Sequence, residues 1–163
     1  MLNALNTNSP SKPVLVFAYG NPSRGDDALG PQLLELLETK LSNTELENKV
    51  ELLTDFQLQI EHSLDLENRQ HIVFVDASLN TESAFSFQPV QAEKDDSYSS
   101  HAMSPNSLLN LHQQLNPDKQ CNAYLLAIHG YDFELGKLIS TQAASNLQQS
   151  LNYIYNWLLI HVD

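Results

Sequence analysis

A single cysteine, Cys121, among 163 residues leaves no partner for an intramolecular disulfide. A disulfide-stapled secreted scaffold is excluded, and a reducing cytoplasm fits. Basic side chains are also scarce: eight Lys and Arg stand against 20 Asp and Glu, for a formal net charge of −12. That balance argues against a nucleic-acid surface, which needs cations to displace the counterions of phosphates. It argues equally against docking on anionic lipid. No apolar run approaches the ~20 residues of a membrane helix. Residues 1–12 are polar and rich in Asn and Ser, without the basic and apolar regions of a signal peptide. The expectation is a soluble, cytoplasmic protein with no nucleic-acid or membrane partner.

Several catalytic signatures are missing as well. Gly20 and Gly25 do not form G-x-G-x-x-G, and no Gly-Lys-Ser/Thr follows, so a phosphate cradle is unsupported. There is no G-x-S-x-G nucleophile elbow and no H-E-x-x-H zinc helix. Cys121 precedes a strand with no evident base nearby, which argues against a thiol nucleophile. Neither an internal repeat nor a domain linker is visible. The length favours one domain, residues 13–163, behind a flexible arm of residues 1–12. A chain of this size buries roughly two-thirds of its unfolded surface.

What is present is an alternation of strands and helices. Residues 14–19 are a continuous apolar run, as expected of a strand buried on both faces. Leu29, Leu33, Leu34, Leu36, Leu37 and Leu41 follow at helical spacing. Residues 50–53 read as a second strand ending at Thr54-Asp55. Residues 56–66 are ambiguous: Phe56, Leu58 and Ile60 alternate, whereas Ile60 and Leu64 lie at i,i+4. A helix is expected there, because parallel strands need a crossover. Residues 71–76 form a third buried strand ending in Asp76, and residues 85–90 alternate like an antiparallel edge strand. Residues 91–104 read as an exposed loop, and Pro105 suits the first turn of a helix to about Leu115. A fifth strand covers residues 123–128, and a closing helix covers 141–159. The pattern predicts an α/β protein, a three-layer α/β/α sandwich around a mostly parallel twisted sheet of about five strands.

Potential ligands follow several strands: Asp27 after the first, Asp55 after the second, Asp76 at the end of the third and His129 after the fifth. The loop before the third helix adds His101. The carboxyl ends of parallel strands share one rim, where ligands usually bind. Carboxylates there suit a cation, and two carboxylates with an imidazole make a mixed O/N set for a divalent transition metal. Plainer roles remain open. Asp26 or Asp27 can cap a helix, and Asp26 is the better candidate for a structural partner. Asp76 can cap a turn, and His101 can be solvated. His129 reads as a turn residue; His62, His71, His112 and His161 read as surface or packing residues.

Taken in order, these residues resemble the hydrogenase maturation endopeptidases. That family's opening motif corresponds to Gly20-Asn21-Pro-Ser-Arg-Gly-Asp26-Asp27. Its hydrophobic strand ending in Asp-Ala corresponds to Val73-Phe-Val-Asp76-Ala77. Its loop histidine before a Leu-containing helix corresponds to Ser100-His101-Ala-Met-Ser-Pro-Asn-Ser-Leu-Leu109. The likeness spans residues 14–160. It departs after the second strand, where the family often has Asp-Gly-Gly-Thr and this chain has Asp55-Phe-Gln-Leu-Gln-Ile-Glu61. Pro22-Ser-Arg24 also replaces more frequent apolar residues. This version resembles the branch serving cytoplasmic, NAD(P)-linked bidirectional hydrogenases.

The resemblance implies a protease with one partner, the precursor of a [NiFe] hydrogenase large subunit, whose C-terminal extension it removes after nickel insertion. It implies Asp27, Asp76 and His101 as catalytic and metal-contacting residues, supported by Asp26, Gly20 and Asn21. The nickel is supplied by the substrate; no permanently bound cofactor is expected, and the protein is expected to be a monomer. Two rivals keep the same residues: a self-sufficient zinc metallohydrolase, and a non-enzymatic nickel-site chaperone for the same precursor.

Overall fold

The computed structural model describes residues 11–94 and 103–163. β1 (Val14–Tyr19) is buried along nearly its whole length because its side chains feed two cores. Val14, Val16 and Ala18 pack with α1 (Leu29–Leu41) and α3 (Thr141–His161) on one face of the sheet. Leu15 and Phe17 pack on the other face against Leu58, Leu66 and α2 (Pro105–Leu115). A strand that alternates between two apolar layers reads as an unbroken apolar run. The same holds for β3 (His71–Ser78), whose Val73 and Val75 face one layer while Ile72 and Phe74 face the other.

The sheet has the order β2-β1-β3-β5-β4, with β2 spanning Val50–Asp55, β4 Phe85–Pro89 and β5 Asn122–His129. The first four in that order run parallel, and β4 pairs antiparallel with β5 at the edge. The expected three-layer α/β/α sandwich with five strands is therefore present. From β1 the chain steps to β2 on one side, then crosses to β3 on the other. Between β1 and β3 the strand order reverses, and beyond their carboxyl ends lies the crevice where open α/β sheets bind ligands.

One element differs from expectation. Residues 56–66 do not form an α-helix; a 3₁₀ helix occupies Ile60–Leu66. Ile60 and Leu64, the i,i+4 pair that suggested a helical face, are 63% and 64% exposed. The core is reached instead by Leu58 and Leu66, and a reciprocal cap between Gln59 and His62 starts the tight turn. Residues 1–10 of the expected arm lie outside the described residues. Lys12 is anchored: its carbonyl accepts from Arg69 Nη1 at 2.7 Å and its ammonium donates to the Glu47 carbonyl at 3.0 Å. Residues 95–102 of the expected loop, including His101, also lie outside the described residues. Among the described residues, no helix is long and apolar enough to cross a membrane.

Candidate active site

Between β1 and α1 the chain makes a tight turn, followed by a single 3₁₀ turn at Gly25–Ala28. Gly20 opens it at φ +147°, and a Cβ there would sit 2.1 Å from the Asp27 carbonyl oxygen. Only glycine allows that closure. The Asn21 amide donates to Asp27 Oδ2 at 2.7 Å, and Asn21 Oδ1 accepts from the Ser23 amide at 2.9 Å. Gly20 and Asn21 thereby fix the Asp27 carboxylate against the end of β1. The missing Gly20 side chain also leaves space beside Asp27 Oδ1, which a Cβ would approach to 3.3 Å.

The adjacent aspartate turns inward. Asp26 is fully buried. Its Oδ1 accepts from the Ser140 amide at 2.7 Å, and its Oδ2 accepts from the Tyr131 amide, the Asp132 amide and the Ser140 hydroxyl at 2.7, 3.1 and 2.8 Å. Burial alone would raise its pKa, but these hydrogen bonds outweigh it and hold the carboxyl below its ordinary range. Asp26 thus ties the β1–α1 turn to the loop before α3, whose first turn Ser140 caps. Neither Asp26 nor Asp27 caps α1.

Asp76 lies near the end of β3, in register with Ala127 of β5. Burial first, and the negative charge of Asp27 second, push its carboxyl up to about 7. The Ala77 amide and a polar contact with Tyr19 draw it partly back. The Tyr19 hydroxyl is pushed up in turn, by burial and then by Asp76. The fold therefore brings Asp27 and Asp76 together at the switch point, with Tyr19 beside them. With its carboxyl raised to about 7, Asp76 is about half protonated at neutral pH.

The other sequence candidates have separate partners. Asp55 accepts the Phe56 amide on Oδ1 at 2.6 Å and meets His62 Nε2 through Oδ2 at 3.1 Å. His62 Nδ1 accepts the Gln59 amide at 2.8 Å, so Nε2 carries the proton and donates to Asp55. His62 is buried and packs edge-on against Phe17. His129 stacks on Tyr131, with ring centroids 4.3 Å apart. His101 lies outside the described residues. Met103, two residues further on, donates its amide to the Leu58 carbonyl at 3.2 Å. Among the described residues, no three His, Cys, Asp or Glu side chains gather in one metal-sized cluster.

Four participants escaped the sequence. Tyr19 carries the one hydroxyl of the apolar strand Val14–Tyr19, and that hydroxyl at the last position of a strand ending at the ligand rim was the available signal. The Tyr131, Asp132 and Ser140 groups that hold Asp26 are more than 100 positions away and leave no local mark.

No protein-family model matches the chain, and no curated protein matches it. Solved structures do. A [NiFe] hydrogenase maturation protease, HycI, from Thermococcus kodakarensis KOD1 is similar with a TM-score of 0.67 and 17% identity, covering 95% of this chain and 96% of that one. The hydrogenase maturating endopeptidase HybD from E. coli is similar with a TM-score of 0.67 and 19% identity, covering 91% and 93%. A hydrogenase 3 maturation protease gives 0.65 and 15%, again covering 91% and 93%. This chain has the fold of the hydrogenase maturation proteases.

Proposed function

We propose that this chain is an endopeptidase that removes the C-terminal extension of a [NiFe] hydrogenase large-subunit precursor after nickel insertion, and that it recognises the nickel in its substrate. The observation that carries this reading is the Asp27–Asp76 pair at the switch point of this fold, with the Asp76 carboxyl raised to about 7. Two oxygen donors and the His101 imidazole together make a set suited to such an ion. Asp27 enters with Oδ2 fixed by the Asn21 amide, and its Oδ1 is the face offered to the metal. Asp76 sheds its proton as the cation arrives. A precursor without nickel lacks the charge that makes this exchange favourable, so it escapes cleavage. Bound there, the nickel can orient the scissile peptide, polarise its carbonyl or activate water.

Asp26 does not touch the substrate in this scheme. It holds the turn that presents Asp27, through its bonds to Tyr131, Asp132 and Ser140. The protein acts in the cytoplasm as a monomer and carries no resident cofactor. The Gly-Asn-Pro-Ser-Arg turn with Asp-Phe-Gln-Leu after β2 supports a substrate from the NAD(P)-linked bidirectional hydrogenases. The test is to replace Asp27 or His101 with alanine and follow the size of the nickel-loaded precursor. Both variants should fold and leave it uncleaved. Normal processing by both would refute the assignment.

A further inference from the structure

β2 forms an open edge of the sheet. In a parallel ladder, alternate residues turn both backbone groups toward the same neighbour. The Lys49 carbonyl accepts from the Val14 amide at 3.1 Å, and the Asp55 carbonyl accepts from the Gly20 amide at 3.1 Å. The odd-numbered residues from Lys49 to Asp55 therefore face β1. The backbone groups of Val50, Leu52 and Thr54 point outward, and no described residue hydrogen bonds to them.

A groove follows this edge on the α1 side. One section, of about 350 Å³, is lined by Glu38, Glu47, Val50 and Leu52, with Lys12 at the end remote from Thr54. The next, of about 240 Å³, is lined by Glu35, Glu38, Leu52 and Thr54. Leu52 and Glu38 border both, so the two sections adjoin along the strand. Natural sheets usually blunt an open edge with proline, lysine or a bulge. The opposite edge, β4, ends in Pro89. β2 has neither proline nor lysine within Val50–Asp55.

We propose that the open edge of β2 is the docking strand for the C-terminal extension of the precursor, which adds to the sheet as a sixth, antiparallel strand. This rests on the reading that the chain cleaves such a precursor. The direction follows from the site. An extension leaving the carboxyl rim must run from Thr54 toward Val50, against the direction of β2. Strands lie about 4.8 Å apart, so the added strand would lie roughly 10 Å from β1 and roughly 14 Å from β3. Three or four extended residues at about 3.3 Å each bridge that gap to Asp27 and Asp76. Glu35 and Glu38 on the α1 wall select Lys or Arg at alternate positions of the extension. Main-chain pairing supplies affinity and the acidic wall supplies register, as in other strand-addition complexes.

Thr54→Pro removes an outward N–H that the fold does not use and puts a ring in the path of the added strand. Thr54→Val leaves the edge intact. The readouts are anisotropy of a fluorescent peptide with the sequence of the extension, and kcat/KM on the nickel-loaded precursor. Thr54→Pro should weaken peptide binding and lower kcat/KM by at least about tenfold, the equivalent of one or two net backbone hydrogen bonds. Thr54→Val should match the native chain. If the native chain cleaves and Thr54→Pro matches it in both readouts, the docking proposal is overturned and the protease reading stands. If the native chain does not cleave at all, the protease reading itself fails.

A second measurement leaves the fold untouched. Peptides N-methylated at one or the other set of alternate amides should differ in affinity for the native chain, because only one set faces β2. Equal affinities overturn the proposal. So does a native dimer that Thr54→Pro dissociates, since the edge would then belong to a second copy. Peptide binding seen only after deletion of residues 1–10 also overturns it, assigning the edge to the chain's own start.

Discussion

Replacing Asp76 with asparagine should stabilise the protein at pH 8 and leave its stability nearly unchanged near pH 4. The Asp76 carboxyl rises from an ordinary 3.8 to about 7 in the folded state, chiefly by burial and next by the charge of Asp27. Well below pH 4 the group is protonated in both folded and unfolded chains and contributes no difference, and near pH 4 the difference is small. Between pH 4 and 7 the unfolded chain ionises while the folded chain keeps its proton, so stability falls as pH rises. Above pH 7 the loss is complete. A rise of about three pKa units at 1.36 kcal/mol each sets a ceiling of about 4 kcal/mol. Asparagine recovers only part of this, because its amide must find its own partners beside Tyr19 and the Ala77 amide; about 1–3 kcal/mol is expected. Urea unfolding of both proteins across pH 4 to 8 measures the difference. A gap that does not widen with pH would refute the claim that burial and Asp27 hold a proton on Asp76.

Asp26→Ala should cost about 3–5 kcal/mol, since it strips the acceptor from three amides and a hydroxyl in a buried site; urea unfolding measures it. The Asp26 carboxyl is held below its ordinary value, so its stabilisation is complete above about pH 4 and fades as pH falls through the lower folded value. The native-minus-alanine difference should shrink at acid pH accordingly. Gly20→Ala drives a Cβ to within 2.1 Å of the Asp27 carbonyl at a φ of +147°. It should lower stability by about 2 kcal/mol or more and abolish precursor cleavage; thermal unfolding and the cleavage assay report the two effects.

How far the sequence disclosed this protein depends on the range of each interaction. β1 was legible because its neighbours on both faces are apolar, so burial left a continuous run. Asp27 and Asp76 stood out because each follows a buried strand, and parallel pairing of β1 with β3 puts their ends on one rim. Residues 56–66 misled because an i,i+4 apolar pair marks a helix only when that face is buried. Ile60 and Leu64 are mostly exposed, and the tight turn is set by the Gln59–His62 cap instead. Asp55 looked like a metal ligand until its partner His62 came into place across the 3₁₀ segment. The task of Asp26 was legible only in outline, because the amides it serves lie in the loop before α3.

On the proposed function, the Asp27–Asp76 rim cleaves a precursor only when that precursor already holds nickel. Mass spectrometry of the large-subunit precursor after incubation with this protein, with and without prior nickel loading, tests it most directly. Loss of a C-terminal fragment from the nickel-loaded precursor alone is the expected result. Equal cleavage of the nickel-free precursor would contradict it and favour a self-sufficient hydrolase, and complex formation with no change in mass would favour a chaperone.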